Sequence, residues 1–253
     1  HMPYRVTLGY TGNRGILKTT DFRRTTASVN LNPSLADDHL KINLNGKFLF
    51  AESRYANQEA ISAAIAMNPT IPVKSSNPIH QQYFQGYWQW DVAGNYGDGS
   101  AWPYSFNNNG TKNPVSLLDL KRDEAQSMAF VGNAEFDYAV HHFEDLHLHL
   151  NMGGDYSTGQ QDSYTSPYSP ESFYYGWQGW EKINKYNLQL NAYAQYTHNW
   201  NNRHDLSVMA GYEWQHFHRE LTRDGSGYYP ETIAGHVAGE AYNRSNSPWA
   251  TEN

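Results

Sequence analysis

The stretch KINLNGKFLF at residues 41–50 alternates apolar and polar side chains with a period of two. Its apolar members are Ile42, Leu44, Phe48 and Phe50, and its polar members are Lys41, Asn43, Asn45 and Lys47. Because successive side chains in a strand point to opposite faces, the stretch predicts a β-strand with one apolar and one polar face. A strand of about ten residues with an apolar outward face is what the wall of a transmembrane β-barrel requires.

The same alternation recurs along the chain, at residues 145–152 and 186–196 among other places. Even-numbered residues carry the apolar side chains in most of these runs, and the parity switches to odd numbers in the second predicted strand. The opposite face holds charged residues such as Glu135 and Asp137. Burying each of these without a partner in a dry sandwich costs several kcal/mol, whereas a hydrated lumen removes that cost.

Seven strands are predicted, and the lengths of the connections between them alternate. The predicted strands are residues 4–11, 25–32, 41–51, 128–140, 145–155, 185–198 and 204–218. Short polar turns follow the second, fourth and sixth strands, and long connections follow the others, including 52–127 and 156–184. Outer-membrane barrels show this asymmetry, with short turns at one rim and long outer loops at the other. Within 52–127, residues 57–67 predict a short helix that ends before Asn68-Pro69.

Composition excludes several classes of protein and leaves one alternative open. The chain has 20 Tyr, 10 Phe and 8 Trp, is 39% hydrophobic and carries a net charge of −7. Without a basic stripe, nucleic acid is not an expected partner. The absence of cysteine excludes disulfides, zinc–thiolate sites and thiol nucleophiles. Composition alone favours a soluble β-sandwich with aromatic core pairs, and the alternating connection lengths favour the barrel instead.

The sequence at both ends of the chain does not look like the boundary of a domain. His1-Met2-Pro3 leads almost directly into a strand-like run, and residues 247–253 are loop-like. We therefore expect residues 1–253 to be a fragment of a longer protein.

Three segments carry a resemblance to a known family. They are residues 3–19, residues 31–41, and the stretch from Asn113 to Asn133 that contains Asn113-Pro114-Val115-Ser116-Leu117-Leu118 and Lys121-Arg122-Asp123-Glu124-Ala125. These segments resemble the SusC/RagA class of TonB-linked outer-membrane transporters of Bacteroidetes. The similarity extends over nearly the whole chain and is thinner in the loops.

The resemblance implies an architecture and a function. A member of this class has an N-terminal plug, a TonB-contacting segment and a barrel of about 22 strands set in outer-membrane lipid. It imports oligosaccharides or peptides with energy supplied through TonB, usually with a SusD-like surface lipoprotein as a lid. Residues 1–253 would then be a partial TonB-dependent receptor barrel of about seven strands, without the plug.

Aromatic clusters in the predicted long loops are the candidate ligand-binding residues. Flat aromatic faces beside amide side chains match the CH-rich face and hydroxyl rim of a sugar. The candidates are Trp88, Trp90, Trp102, Tyr174, Tyr175, Trp177 and Trp180. The alternative is that these aromatics pack the loops onto one another or form the interfacial girdle of a barrel.

Two histidine pairs have spacings that could suit metal binding, and one carboxylate pair has a spacing that could suit catalysis. His147-x-His149 and His216-x-His218 each share a strand face, but a metal needs a third ligand to converge, and a solvated lumen and the girdle explain the pairs better. No metal or cofactor is therefore predicted. Glu135 and Asp137 share a face about 7 Å apart, a separation compatible with glycoside hydrolysis. Nothing in the sequence predicts the apolar surroundings that such an acid needs.

The sequence therefore predicts an all-β antiparallel up-and-down meander, a segment of a large outer-membrane barrel with long outer loops. The predicted function is TonB-dependent import of an oligosaccharide or peptide, and no enzymatic activity. The alternative is a soluble, aromatic-rich carbohydrate-active protein, either a glycan-binding module or a hydrolase. The exposed strand edges at 4–11 and 204–218 also predict self-association of the isolated chain.

Overall fold

The computed structural model describes residues 3–93, 104–107, 109–171, 176–201, 203–228 and 237–246. One antiparallel sheet contains most of them, and each long strand pairs with the next long strand along the chain. Its strands are β1 (Tyr4–Arg14), β2 (Asp21–Leu31), β3 (Ser34–Leu35), β4 (Leu40–Tyr55), β7 (Lys121–Ala139), β8 (Leu146–Thr165), β9 (Trp177–Trp200), β10 (His204–Tyr228) and β11 (Ala241–Asn246). The order across the sheet is β1-β2-β4-β7-β8-β9-β10-β11, with β3 paired to β4. The predicted up-and-down meander is confirmed.

The connection between β4 and β7 contains the remaining elements. These are α1 (Glu59–Ala66), α2 (Pro78–Tyr83), the two-stranded sheet of β5 (Asp91–Ala93) and β6 (Tyr104–Phe106), and α3 (Pro114–Asp119). We call residues 56–120 the β4–β7 loop. Helix α1 confirms the helix predicted at 57–67. No helix in the described ranges is long and apolar enough to cross a membrane.

All seven predicted strands are present, but several continue well past their predicted ends. β7 starts at Lys121 rather than at 128, β8 continues to Thr165, and β9 starts at Trp177. The predicted loops 52–127 and 156–184 are correspondingly too long, and β11 was not predicted. In these extensions both faces of the sheet are largely polar, so hydrophobic alternation, on which the prediction depended, has no signal there.

The short turns lie where the sequence predicts them, at one rim of the sheet. Each contains a residue with positive φ: Asp38 between β2 and β4, His142 between β7 and β8, and Asn201 between β9 and β10. Asp, Asn and His tolerate this left-handed conformation better than most residues with a Cβ. The longer connections, including the β4–β7 loop, leave the opposite rim.

Candidate functional site

One face of the sheet is largely apolar from β1 to β10. The strand registers place Leu8, Ala27, Phe48, Phe130, Tyr156, Tyr186 and His218 in one row of directly opposed residues. The parity switch predicted for the second strand is confirmed, because Ala27 lies between Leu8 and Phe48. We call this surface the apolar face. Its side chains are exposed, with Leu8 79% and Leu188 45% accessible. Contiguous apolar surface of this extent needs a lipid or protein environment to cover it.

The apolar face has a limited height, bounded by aromatic rings. In β9 the face is bordered by Tyr186 on one side and Tyr196 on the other, ten residues apart. At about 3.3 Å per residue and a tilt of about 40°, this separation corresponds to about 25 Å. Beyond Tyr186 the same face becomes polar, and Thr158 donates to Asn184 Oδ1 at 2.7 Å. The height matches the apolar band of an outer-membrane barrel with its aromatic girdles.

The opposite face of the sheet, which we call the polar face, carries a network of amide side chains. Asn43 Nδ2 donates to Glu135 Oε2 at 3.2 Å, and Asn133 Nδ2 donates to Glu135 Oε1 at 3.0 Å. Further along the sheet, Asn187 Nδ2 contacts both oxygens of Asp155 at 3.0 Å. Val131, Met209 and Phe217 are exposed apolar residues on this face as well. The polar face therefore suits water and hydrogen-bonding ligands, with a few apolar positions.

The β4–β7 loop is held together by buried amide groups. Asn113, 1% exposed, caps α3 by accepting from the N–H groups of Val115 and Ser116. Its Nδ2 donates to the carbonyl oxygens of Val73 and Trp88 at 2.9 and 3.0 Å. The equally buried Gln89 accepts from Asn113 N through Oε1 and donates to Ser116 Oγ through Nε2. The position of the aromatic stretch around Trp88 is therefore fixed by hydrogen bonds to the start of α3.

Asp119 joins Tyr87 of this loop to Lys18 in the connection between β1 and β2. The Tyr87 hydroxyl donates to Asp119 Oδ2 at 2.8 Å, and Lys18 Nζ lies 2.6 Å from Asp119 Oδ1. Lys74 Nζ lies 3.1 Å from the centre of the Tyr87 ring. Burial, and then the hydrogen bond and charge of Asp119, raise the pKa of Tyr87 to about 12. Burial also acts to raise the pKa of Asp119, but hydrogen bonds from Lys18 and Tyr87 and the two lysine charges outweigh it and leave that pKa lowered.

The predicted ligand-binding aromatics are divided among several surfaces. Trp88 and Trp90 contact each other edge to face at 4.9 Å in the β4–β7 loop, where Trp90 is 45% exposed. Trp177 and Trp180 lie near the start of β9, and their odd spacing places them on opposite faces of the sheet. Trp102, Tyr174 and Tyr175 lie outside the described residues.

The Trp177 ring lies on the polar face and packs over two glycines, Gly179 and Gly225. A Cβ on Gly225 would lie 2.5 Å from Trp177 Cζ2, and one on Gly179 would lie 2.9 Å from Trp177 Nε1. The indole can approach the backbone of β9 and β10 only because both positions lack a side chain. The ring therefore has a fixed position at the end of the sheet from which the long connections leave.

Asp137 lies next to the first histidine pair, His147 and His149. It is the third possible metal ligand, which the sequence did not identify. His147 Nδ1 lies 3.0 Å from Asp137 Oδ1, and His149 Nδ1 lies 3.3 Å from Asp137 Oδ2. The other pair, His216 and His218, lies on the apolar face around Tyr186, with ring centroids 5.7 and 4.6 Å from it. That arrangement agrees with the predicted girdle.

The chain is similar over its whole length to one curated protein. It is 44% identical over 255 aligned residues to the TonB-dependent receptor SusC of Bacteroides thetaiotaomicron, and the match covers 100% of this chain and 25% of the receptor. No protein-family profile matches the chain.

Two solved structures share its fold. A chain of the RagAB peptide importer in the 'closed-closed' state matches with a TM-score of 0.65 at 15% identity, over 99% of this chain and 27% of that chain. The 'open-open' state matches with a TM-score of 0.57 at 16% identity, over 99% and 26%. This chain thus spans about a quarter of the length of the proteins it matches.

Proposed function

Because this chain belongs to the SusC/RagA-type TonB-dependent receptors of the bacterial outer membrane, we propose that it is part of the barrel wall and outer loops of an importer. The importer takes up oligosaccharides or peptides, and TonB supplies the energy. The observation that carries the proposal is the exposed apolar band of about 25 Å between two aromatic borders, backed by a polar face.

The polar face and the β4–β7 loop support a hydrophilic ligand. Amide and carboxylate groups such as Asn133, Glu135 and Asn187 line the polar face, and Trp90 and Trp177 offer aromatic rings at the end of the sheet from which the long connections leave. Aromatic rings beside amide groups bind both sugar rings and the side chains and backbone of peptides. The aromatic and amide groups of this surface therefore suit oligosaccharides and peptides equally.

A surface lipoprotein of the SusD type is the partner we propose for the complete receptor. The two solved structures that share this fold are both states of the RagAB peptide importer. The long connections all leave one rim of the sheet, so they form the surface on which such a lid would close.

The soluble carbohydrate-active alternative is not favoured. It requires the apolar face to be covered by a second sheet, and within the described ranges the apolar face has no such cover. The candidate catalytic carboxylates are also engaged, Glu135 by two asparagines and Asp137 by two histidines. The relatives are named as receptors and transporters rather than as hydrolases.

Uptake measurements test the proposed function. Cells that express the receptor containing this chain are given labelled oligosaccharide and peptide mixtures, beside cells that lack the receptor and cells that lack TonB. The proposal expects one mixture to be depleted only when both proteins are present. Depletion that is independent of the receptor, or of TonB, would contradict it.

Two of the three tryptophans of β9, Trp177 and Trp180, offer a matched pair for locating the ligand. Trp177→Ala removes a ring from the polar face, whereas Trp180→Ala removes one from the opposite face three residues away. We expect Trp177→Ala to weaken ligand binding by about 1–3 kcal/mol, the range for a buried aromatic contact at a binding surface, and Trp180→Ala to leave it unchanged. Calorimetry with the mixture component that the cells deplete measures both. Equal losses would place the ligand elsewhere.

A further inference from the structure

Three metal-binding side chains converge on the polar face near the short turns. One ligand atom from each of Asp137, His147 and His149 lies within 4.8 Å of the others. Within the described part of the chain, they are the only group of three or more His, Asp or Glu residues with this property. All three are partly exposed, so an ion in solution can reach them.

Strand register, rather than loop conformation, brings these residues together. His147 and His149 are two residues apart in β8 and therefore point to the same face. Asp137 of β7 is directly opposite His149 in the ladder. The His149 ring also stacks on Tyr193 of β9, with centroids 4.3 Å apart, which limits its rotation. Ligands placed on strands in this way are held more precisely than ligands on loops.

The spacing of the ligand atoms suits a divalent transition-metal ion. Zinc binds imidazole nitrogen and carboxylate oxygen at about 2.0–2.2 Å, so neighbouring ligand atoms around a tetrahedral ion are about 3.3–3.5 Å apart. The two nitrogen–oxygen distances at Asp137 are 3.0 and 3.3 Å. Small side-chain rotations are therefore enough to admit an ion between the three groups.

The charge around the three ligands also favours a cation. Asp137 and His149 border a cleft of about 820 Å³ whose lining also includes Asp38 and Glu135, with Lys41 as its one lysine or arginine. Lys41 lies opposite Asp137 on β4 and partly offsets the carboxylate charge. Three carboxylates against one ammonium leave the cleft negative when the histidines are neutral.

We propose that Asp137, His147 and His149 form a binding site for a divalent transition-metal ion, with Zn²⁺ as its probe. Two imidazoles and a carboxylate are ligands that such ions accept, and the coordination positions they leave free face the polar side of the sheet. The site depends only on the register of β7 and β8, and it does not depend on what the receptor imports.

Zinc titration of the purified receptor tests the site. The receptor containing this chain, without an affinity tag and treated with a chelator, is titrated with Zn²⁺ in a calorimeter beside the His149→Gln and Asp137→Asn variants. We expect His149→Gln to lose one bound zinc per chain and Asp137→Asn to bind that zinc at least tenfold more weakly, since even outer-shell changes cost about 10–100-fold. Zinc binding unchanged in both variants, or no binding by the unmodified receptor, would overturn the proposal.

His198→Gln is the matched control. His198 Nδ1 also contacts a carboxylate, Asp145 Oδ2 at 2.6 Å, but it lies on the other face and is not part of the three-residue group. Its zinc binding should equal that of the unmodified receptor. Bound Co²⁺ gives a second measurement, on the unmodified receptor, that does not depend on how any variant folds. Its visible spectrum should show ligand-field bands of nitrogen and oxygen coordination, and a spectrum equal to that of hydrated Co²⁺ would overturn the proposal.

Discussion

Asn113 is a single buried amide that determines the path of a long loop. One oxygen accepts from two N–H groups at the start of α3, and one nitrogen donates to carbonyl oxygens on two separate segments. If the side chain were removed, Val73 O would keep its hydrogen bond from Trp88 N, but Trp88 O and the N–H groups of Val115 and Ser116 would lose the partner that Asn113 provides. The stretch before Pro114 is therefore a junction of the β4–β7 loop as well as the beginning of a helix.

Asn113→Ala should destabilise the β4–β7 loop by about 2–4 kcal/mol. The helix cap is worth about 1 kcal/mol, and the unpaired buried groups cost about 1–3 kcal/mol. Hydrogen exchange of the α3 amides reports this local stability. Asn77→Ala is the control, because Asn77 also precedes a proline and caps α2 but accepts from one N–H only. It should cost about 1 kcal/mol, and equal losses in the two variants would contradict the role given to Asn113.

The hydrogen bond between Tyr87 and Asp119 should give the loop an alkaline limit. The pKa of Tyr87 is raised from 10.0 to about 12 by burial and by Asp119. Its contribution to stability is therefore fully present below about pH 10 and is lost as the pH rises through about 12.

The alkaline limit is measured by comparing tyrosinate absorbance with loop proteolysis. Tyr87→Phe should remove a tyrosine that titrates near pH 12, and should speed cleavage of the loop at pH 8. The difference in cleavage rate between the two proteins should shrink above pH 10. Tyr55→Phe, which removes a tyrosine that is 49% exposed, is the control. A Tyr87 that titrates near pH 10 would contradict the buried hydrogen bond.

At the scale of the strand, β9 separates an apolar from a polar environment between Tyr186 and Tyr196. Leu190 opposes Met152 and Trp214 near the middle of the apolar band, while the neighbouring Gln189 is exposed on the polar face. Leu190→Arg should destabilise the folded receptor in lipid by about 2–4 kcal/mol, the cost of arginine at the centre of a bilayer. Gln189→Arg should change stability by about 0.5 kcal/mol or less. Urea unfolding in lipid vesicles measures both, and similar costs for the two variants would contradict the assignment of the faces.

The strands could be predicted from sequence only where their two faces differ. Runs such as KINLNGKFLF and residues 145–152 alternate between apolar and polar side chains, and their strands appear as predicted. Residues 156–165 and 177–184 are largely polar on both faces, so their sequence predicts a loop although their backbones continue the ladder. Two helices were also missed because they have six residues each. Their Asn-Pro starts, Asn77-Pro78 and Asn113-Pro114, are the signal that could have identified them.

The contacts between strands could not be predicted, because they depend on register. The sequence places His147 and His149 on one face but does not identify a third ligand. The ladder places Asp137 beside them, since the turn after β7 sets which residues face each other. The same limit applies to Trp177 and Trp180, which were grouped as one aromatic cluster and which the strand separates.

At the scale of the whole molecule, the chain is one open wall with two unlike faces. Within the described residues, β1 pairs only with β2, and β11 pairs only with the outer end of β10. Both edges therefore retain backbone groups that another strand could pair with, as the sequence predicted for the isolated chain. A wall of this kind is complete only as part of a larger barrel, in agreement with relatives about four times as long.

Quenching of labelled cysteines in the membrane tests most directly whether the apolar face contacts lipid. The chain contains no cysteine, so one cysteine introduced in turn at residues 187–192 is the only thiol that it carries. Each is labelled with a fluorophore in the receptor reconstituted into vesicles, and is quenched from nitroxide lipids or from the aqueous phase. The account predicts lipid quenching at positions 188, 190 and 192 and aqueous quenching at 187, 189 and 191. Quenching without this period of two, or aqueous quenching at all six positions, would contradict it.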